Sequence, residues 1–542
     1  MTRTQYEWND TLTISSSSAS GTYILQAPAI TTTEDGSGTI KACTYDGYDG
    51  INPGTTGYHT TLTRGLLTRE DRYATNCTPG SLSGLSSTQR AYDTSGNLLG
   101  VRDPDGQAGV PGHVNSTHCT ISSVAYSACA QFDSLYSALP TVVYNALDQA
   151  TTLNYTTDGA NTNSPDATNG WGTWLTTSSD ANGAATAFGY DALGRLTALA
   201  KPSDTLASSP TTSYQYVVTC AATGAAEPCT ALQTTQRLTS GGQTVTSATY
   251  YDGWGRPVEA VTPEAQSGST CTFAVQYTMY DSAGRVSFQS DPYFTTGLQP
   301  QGVCMPRYMR PDRTQPGSST EYDGLDRTIK SYDAFQHLTS TSYSEAQPAA
   351  GAANVTDTAW YEATTVVDAN GHQRSQLTDG FGRARYGETF TGDGTGTPAY
   401  TLYGMQAQTY DWLGNVLRGT GPNPPPGAAG LSASAQTTAT YDLLGRKTAL
   451  TDADLGSYSF PSYDANGNLR ESVDPRGGTS GTVWIGYDGL NRPMWRNTTN
   501  TPTGAYVTYT YDETTQTGGH GSGIGRLTTE SFSSGQSLGA GS

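Results

Sequence analysis

Charge is scarce in this chain of 542 residues, with Asp, Glu, Lys and Arg together making 14%, against roughly 25% in an ordinary globular domain. A coiled coil and a charge-swollen disordered chain are both excluded. Lysine occurs only at Lys41, Lys201, Lys330 and Lys447, and the formal net charge is −19. That balance argues against a protein that tracks the phosphates of a nucleic acid. No run approaches the roughly eighteen apolar residues of a membrane-spanning helix, so membrane insertion is not expected. Met1 to Asp10 lack the apolar core of a secretory leader and read as a start within a longer chain. Uninterrupted helix-forming stretches are missing too, because 63 Gly and 27 Pro punctuate the sequence about once every six positions. An all-α fold is thereby ruled out.

What fills the chain is a recurring hexapeptide, Tyr-Asp-x-x-Gly-(Arg/Asn). Close copies place Tyr92, Asp93 and Gly96; Tyr190, Asp191, Gly194 and Arg195; Tyr251, Asp252, Gly255 and Arg256; and Tyr280, Asp281, Gly284 and Arg285 in register. Further copies are Tyr410, Asp411 and Gly414; Tyr441, Asp442, Gly445 and Arg446; and Tyr463, Asp464 and Gly467. Looser copies start at Tyr144, Tyr322, Tyr332, Tyr487 and Tyr511, and Asp379 to Arg383 form one without the Tyr. From Tyr441 onward the starts are Tyr441, Tyr463, Tyr487 and Tyr511, in steps of 22 and 24 residues.

Each residue of the unit has a physical task. An Asp opening a four-residue loop accepts a backbone N–H two residues on, and the Gly supplies the positive φ that closes a hairpin. The flanks alternate as strands do, for example Tyr506-Val-Thr-Tyr-Thr-Tyr511 before one turn and Arg195-Leu-Thr-Ala-Leu199 after another. A second turn falls between successive Tyr-Asp turns: Asp103-Pro-Asp-Gly106, Asp180-Ala-Asn-Gly183, Asp368-Ala-Asn-Gly371 and Asp474-Pro-Arg-Gly477. One repeat is therefore a β-hairpin, and chained hairpins predict one continuous all-β body whose stability is a nearest-neighbour property.

The arrays resemble the YD repeats of the Rhs family, which is similar to the C components of insecticidal toxin complexes, wall-associated polymorphic toxins and the shell region of teneurins. The resemblance covers about Tyr92 to Arg526. It implies a long strip of antiparallel hairpins wound spirally into a hollow shell, or part of one, with no cofactor and no catalysis. The expected organisation is an irregular N-terminal β region with degenerate repeats over 1–91, the repeat shell over 92–530 and a flexible Ser/Gly tail over 531–542. Past Ile524-Gly-Arg-Leu527 neither the Pro-rich core segment that closes many such shells nor a cargo domain is visible. The implied partners are the remainder of a larger chain and an enclosed polypeptide. Self-association through open strand ends and an adhesive, glycan-binding or filament-forming role at the cell surface form the alternative.

The eight cysteines fall as close neighbours, Cys43/Cys77, Cys119/Cys129, Cys220/Cys229 and Cys271/Cys304, which predicts local disulfides and an extracellular setting. The stretch from Ile121 to Leu139 also carries apolar residues at helical spacing. A helix there would hold Cys119 and Cys129 roughly 15 Å apart, too far for a bridge, so helix and disulfide exclude each other. The repeats on either side and the turn-like Asn145-Ala-Leu-Asp148 favour strands, and a hairpin with a cross-strand disulfide is expected. The carboxylate pairs Asp46/Asp49, Asp103/Asp105 and Asp452/Asp454 could serve hydrolysis or Ca²⁺ binding, but at predicted turns backbone hydrogen bonding accounts for them. The six His residues form no ligand pattern, and no metal site is expected. Arg195, Arg256, Arg285, Arg327, Arg383, Arg446 and Arg492 could bind acidic polymers; pairing with the repeat's own Asp residues and neighbouring carbonyls suits the negative balance better.

Overall fold

The computed structural model describes residues 2–10, 13–14, 19–20, 23–52, 62–78, 81, 84–106, 114–155, 174–218, 230–239, 242–267, 270–298, 304–349, 357–421, 436–513 and 522–533. Among these residues, 35 strands join one sheet whose neighbours follow almost strict chain order. The expected all-β strip of hairpins is the fold observed. Helix among the described residues is confined to the 3-10 turn Pro104–Gly106 and the four-residue turn Gly478–Gly481.

Three places break the simple meander. Leu98–Arg102 pairs with Ala128–Phe132, leaving the hairpin of Asn115–Ile121 and Val124–Tyr126 as a separate two-stranded sheet. Cys119 and Cys129 are bridged there with their Cα atoms 5.3 Å apart, so the segment is built of strands and not of a helix. The short hairpin of Thr13–Ile14 and Ala19–Ser20 likewise stands outside the main sheet. Finally, Thr270–Tyr280 forks the strip. Its first half pairs with Tyr293–Leu298 and its second half with Val286–Ser290, and the main path continues from the latter to Gly317–Tyr322.

Burial is patchy and one-sided. Along Thr270–Tyr280 buried and half-buried residues alternate, so Cys271, Phe273, Val275 and Tyr277 share one face, as period-2 geometry requires. Phe273 and Val275 pack with Val261, Ala248 and Tyr250 under a cover that includes Tyr308 and Met309. Leu377, Met405, Tyr386 and Ala363 form a second cluster, against which Ala349 and Tyr361 pack. Each cover is pinned by a buried carboxylate: Met309 N–H donates to Glu259 Oε1 at 2.7 Å, and Ala349 N–H to Glu388 Oε1 at 2.7 Å. Burial pushes the Glu388 carboxyl up.

The strip turns back on itself. Leu443 N–H donates to Ala74 O (2.9 Å), Ala465 N–H to Asp105 Oδ1 (2.8 Å) and Ile524 N–H to Asn182 Oδ1 (2.9 Å). Late Tyr-Asp turns thus sit on early second turns, which is the geometry of a wound strip.

Candidate functional site

The Tyr-Asp turns concentrate most of the ionic chemistry of the chain. In the turn at Asp191, Oδ1 accepts the N–H groups of Leu193 (2.9 Å) and Arg195 (3.0 Å). Oδ2 accepts Arg195 Nε and Nη2, both at 2.7 Å. Two backbone donors thereby occupy Oδ1 while two guanidinium nitrogens converge on Oδ2, a set of charge-assisted bonds. Asp252, Asp281, Asp323, Asp379, Asp442 and Asp488 repeat the set with Arg256, Arg285, Arg327, Arg383, Arg446 and Arg492. In the Asn copies the amide replaces the guanidinium, as from Asn97 Nδ2 to Asp93 Oδ2 (2.8 Å), from Asn415 to Asp411 (2.9 Å) and from Asn468 to Asp464 (2.9 Å). His337 and His372 take the same place beside Asp333 and Asp368.

The fourth position of the turn needs a left-handed backbone. Gly194 has φ 76° and Gly467 φ 94°, and the looser copies put Asp148, Asp326, Gln336 and Asn491 there with φ between 61° and 67°. Asn and Asp tolerate that region better than most side chains, which is why the degenerate copies still close. A register shift follows at the Tyr of each close copy, as between Gly189 and Tyr190.

Each turn also reaches the next. The Arg195 guanidinium lies 4.4 Å over the Tyr216 ring, Arg256 lies 4.4 Å over Tyr280, Arg285 4.7 Å over Tyr322, Arg446 4.7 Å over Tyr463 and Arg492 4.2 Å over Tyr511. The Tyr hydroxyl returns a hydrogen bond to the strand after the preceding turn: Tyr280 to Pro257 O (2.7 Å), Tyr322 to Val286 O (2.9 Å) and Tyr511 to Pro493 O (3.0 Å). Arg446 Nη1 adds a bond to Asp464 O at 3.1 Å. Asp fixes Arg, Arg covers the next Tyr, and that Tyr caps the strand behind it. The arginines expected to pair within the repeat do so, and in addition they join one repeat to the next.

One member of this ladder escapes the motif search, and a second appears there only as a loose copy. Asp49 Oδ2 accepts the N–H groups of Thr63, Arg64 and Gly65, and Arg64 Nη1 donates to Asp93 O at 2.7 Å. Asp512 accepts Gly525 N–H at 2.7 Å and salt-bridges Arg492 at 2.6 Å. Both are Tyr-Asp turns with long insertions. Their signal in the sequence is only the Tyr48-Asp49 and Tyr511-Asp512 dipeptides.

The carboxylate pairs separate into different roles. Asp46 does not act with Asp49; it lies directly across from Glu70, and burial together with Glu70 pushes its carboxyl up to about 6. Asp103 caps its own turn through Gly106 N–H at 2.8 Å, whereas Asp105 is buried and accepts Ala465 N–H across 360 residues. Asp452 Oδ1 accepts the N–H groups of Asp454 and Leu455. Asp474 accepts Arg476 N–H at 2.9 Å in an ordinary second turn. No group of three or more His, Cys, Asp or Glu side chains able to hold a metal occurs among the described residues.

Asp46 and the turn carboxylates titrate in opposite senses. The Arg256 N–H and guanidinium hold Asp252 below the usual carboxylate range, and Arg285 does the same for Asp281. Their contribution is present above the ordinary carboxylate value and is lost as pH falls through the lowered one. Asp46 is raised, so its contribution is present below the ordinary value and is lost as pH rises through about 6. Asp46→Asn is therefore expected to stabilise Ile40–Tyr48 at pH 7 by about 1–3 kcal/mol and to flatten the pH dependence of that region between about pH 4 and 6. Amide exchange resolved by strand and measured across that range checks it. An unchanged profile would place Asp46 outside the titration.

Disulfides join Cys43 to Cys77, Cys119 to Cys129 and Cys271 to Cys304. Cys220 and Cys229 lie outside the described residues.

Known proteins carry the same sheet. Residues 169–206 match the RHS Repeat, and residues 223–308 match a family described as a domain of unknown function (DUF6443). No curated protein sequence matches the chain. The crystal structure of TcdB2-TccC3 superposes with a TM-score of 0.63 at 13% identity, over 95% of this chain and 28% of that one. The Photorhabdus luminescens Tc holotoxin pore gives 0.66 at 12% identity, over 98% of this chain and 30% of that one. TcdB2-TccC3 without its hypervariable C-terminal region gives 0.61 at 12%, over 95% and 30%. At these identities the likeness is one of fold, and the chain spans under a third of each structure it matches. The repeat motif, the RHS Repeat matched over residues 169–206 and the shared sheet make the chain similar to Rhs/YD-repeat proteins.

Proposed function

We propose that the chain is a non-catalytic wall segment of a secreted Rhs-type toxin shell, with residues 92–530 forming wall that encloses a polypeptide. The observation that carries this reading is the saturation of the turn carboxylates. Asp191, Asp252, Asp281, Asp442 and Asp488 each spend their oxygens on backbone N–H groups and an Arg guanidinium. A carboxylate so engaged is neither a general base nor a nucleophile, because both roles need a lone pair facing substrate. Disulfides in such a chain favour an oxidising, extracellular compartment. No helix of the described residues is long and apolar enough to cross a membrane.

Electron microscopy and limited proteolysis of the full natural polypeptide that contains this chain test the reading. A closed wall with interior density, and a protease-resistant enclosed segment, are expected. An open strip whose neighbouring segments are digested at the rate of free chain would overturn it. A surface adhesion, glycan-binding or filament module is favoured by a single observation, the exposure of Trp254, Phe335 and Phe381 at turn tips. Hydrolysis of a glycan by the wild-type chain, abolished by Asp103→Asn or Asp452→Asn, would establish an enzyme instead.

A further inference from the structure

Successive turns alternate between the two rims of the sheet, since every strand runs antiparallel to its neighbours in chain order. One rim carries the turns at Asp191, Asp252, Asp323, Asp379, Asp411, Asp442 and Asp464. The opposite rim carries those at Asp103, Asp180, Asp333, Asp368 and Asp474. Where the strip overlaps itself, the first rim over 442–525 rests on the second rim over 74–182. The joints pair backbone N–H groups and side-chain amides with a carboxylate or an amide. Ala465 N–H donates to Asp105 Oδ1 while Asp105 N–H donates to Asn466 Oδ1 (3.1 Å). Asn182 Nδ2 donates to Ile524 O (3.0 Å) while its Oδ1 accepts Ile524 N–H (2.9 Å).

Both rims continue beyond this joint with the same chemistry. At the docked first-rim turn of Asp442 the apolar tips Leu443 and Leu444 are half-buried. At the undocked ones Leu193 is 77% exposed, Trp254 88%, Leu325 74%, Phe381 80% and Trp412 56%. On the second rim the tetrapeptide Asp180-Ala-Asn-Gly183 is docked through Asn182, and the identical Asp368-Ala-Asn-Gly371 presents Asn370 exposed. Asp and Gly close the turn without a large apolar side chain at its tip, although the Phe381 ring also packs on its own Arg383 at 5.0 Å. A row of five such tips reads as a contact surface.

We propose that the Tyr-Asp rim from Leu193 to Trp412 docks the opposite rim of a second copy of this chain, reproducing between molecules the joint that 442–525 makes on 74–182. The occupant is a second copy because the chain carries both complementary rims, and the internal joint demonstrates that they fit. Such a contact is heterologous, one rim against the other, so it runs on into a stack unless the rotation closes. The net charge of −19 opposes it between copies, and salt screens that repulsion. The inference is independent of whether the wall encloses a toxin.

Sedimentation velocity of the whole chain across rising concentration, at physiological and at raised salt, provides the test. The wild type is expected to form larger species with concentration, more readily at high salt. The triple variant Trp254→Ser/Phe381→Ser/Trp412→Ser is expected to weaken association by roughly tenfold or more. Asn370→Asp is expected to weaken it by at least roughly threefold. Both variants alter exposed side chains and should keep the wild-type circular dichroism. Mixing the triple variant with Asn370→Asp should restore a capped dimer, because each supplies the intact rim that the other lacks. A wild type that stays monomeric under all conditions overturns the proposal. So does association that survives both variants, or that disappears instead on changing the last-strand residues Leu527 and Phe532, which would place the contact at strand edges.

Discussion

Replacing Cys271 and Cys304 together by Ala is expected to lower the stability of the surrounding sheet by about 3–4 kcal/mol. The bridge closes a loop of sequence separation 33, and chain-entropy reasoning assigns a loop of that size about that much. Cys271 is also wholly buried beside Phe273 and Val275, so the pair removes packing as well as a tether. The smaller loop between Cys119 and Cys129, with separation 10, is expected to contribute about 1 kcal/mol less. The loss should be local. Amide protection should fall over Pro257–Ser267, Thr270–Tyr280 and the cover around Met309, and stay unchanged over Gln436–Tyr441, because stability in such a strip is summed from neighbours. Equal loss of protection at both places would mean that the strip unfolds as one unit.

The second large effect is expected at Asp442. Ala there orphans the N–H groups of Leu444 and Arg446, each 2.9 Å from Oδ1, and frees the Arg446 guanidinium held at 2.7 Å. The Asp442 side chain is only 10% exposed, so solvent compensates little. A local loss of about 2–4 kcal/mol follows from the unsatisfied donors and the unpaired cation. Asp442→Asn keeps an amide oxygen for the backbone but sets an NH₂ donor where Oδ2 accepted Arg446, so only the backbone part of the loss is recovered and about half of it is expected. If the two variants cost the same, the backbone bonds contribute nothing and the turn is closed by Gly445 and Arg446 alone.

The repeat was legible because it is local. Asp191, Gly194 and Arg195 reveal a turn within six residues, and the strands either side follow from alternation. Three kinds of feature were not legible, each for a physical reason. Asp49 anchors a Tyr-Asp turn whose Gly65 partner comes 16 residues later, so no window holds the motif, and Tyr511 reads only as a loose copy because Gly525 comes 13 residues after Asp512. The fork at Thr270–Tyr280 is invisible because an alternating strand of eleven residues looks the same with one partner or two. Asp105 sits in Asp-Pro-Asp-Gly, where turn chemistry is explanation enough; its contact to Ala465 depends on where the strip overlaps itself, which no local pattern encodes. The same holds for the ladder as a whole. The sequence places an Arg beside an Asp, while the Tyr that the Arg covers belongs to the next hairpin.

The Tyr-Asp turns tie each hairpin to the next. A double-mutant cycle on Arg446 and Tyr463, using Arg446→Met and Tyr463→Leu, tests it most directly, with local stability read by amide exchange over Lys447–Asp452 and Gly456–Tyr463. The guanidinium lies 4.7 Å over the ring, and the Tyr463 hydroxyl donates to Lys447 O at 2.5 Å. A coupling energy of about 0.5–2 kcal/mol is expected between the two positions. Additivity within about 0.3 kcal/mol would contradict the account, leaving each Tyr-Asp turn a self-contained device that does not bind its hairpin to the next.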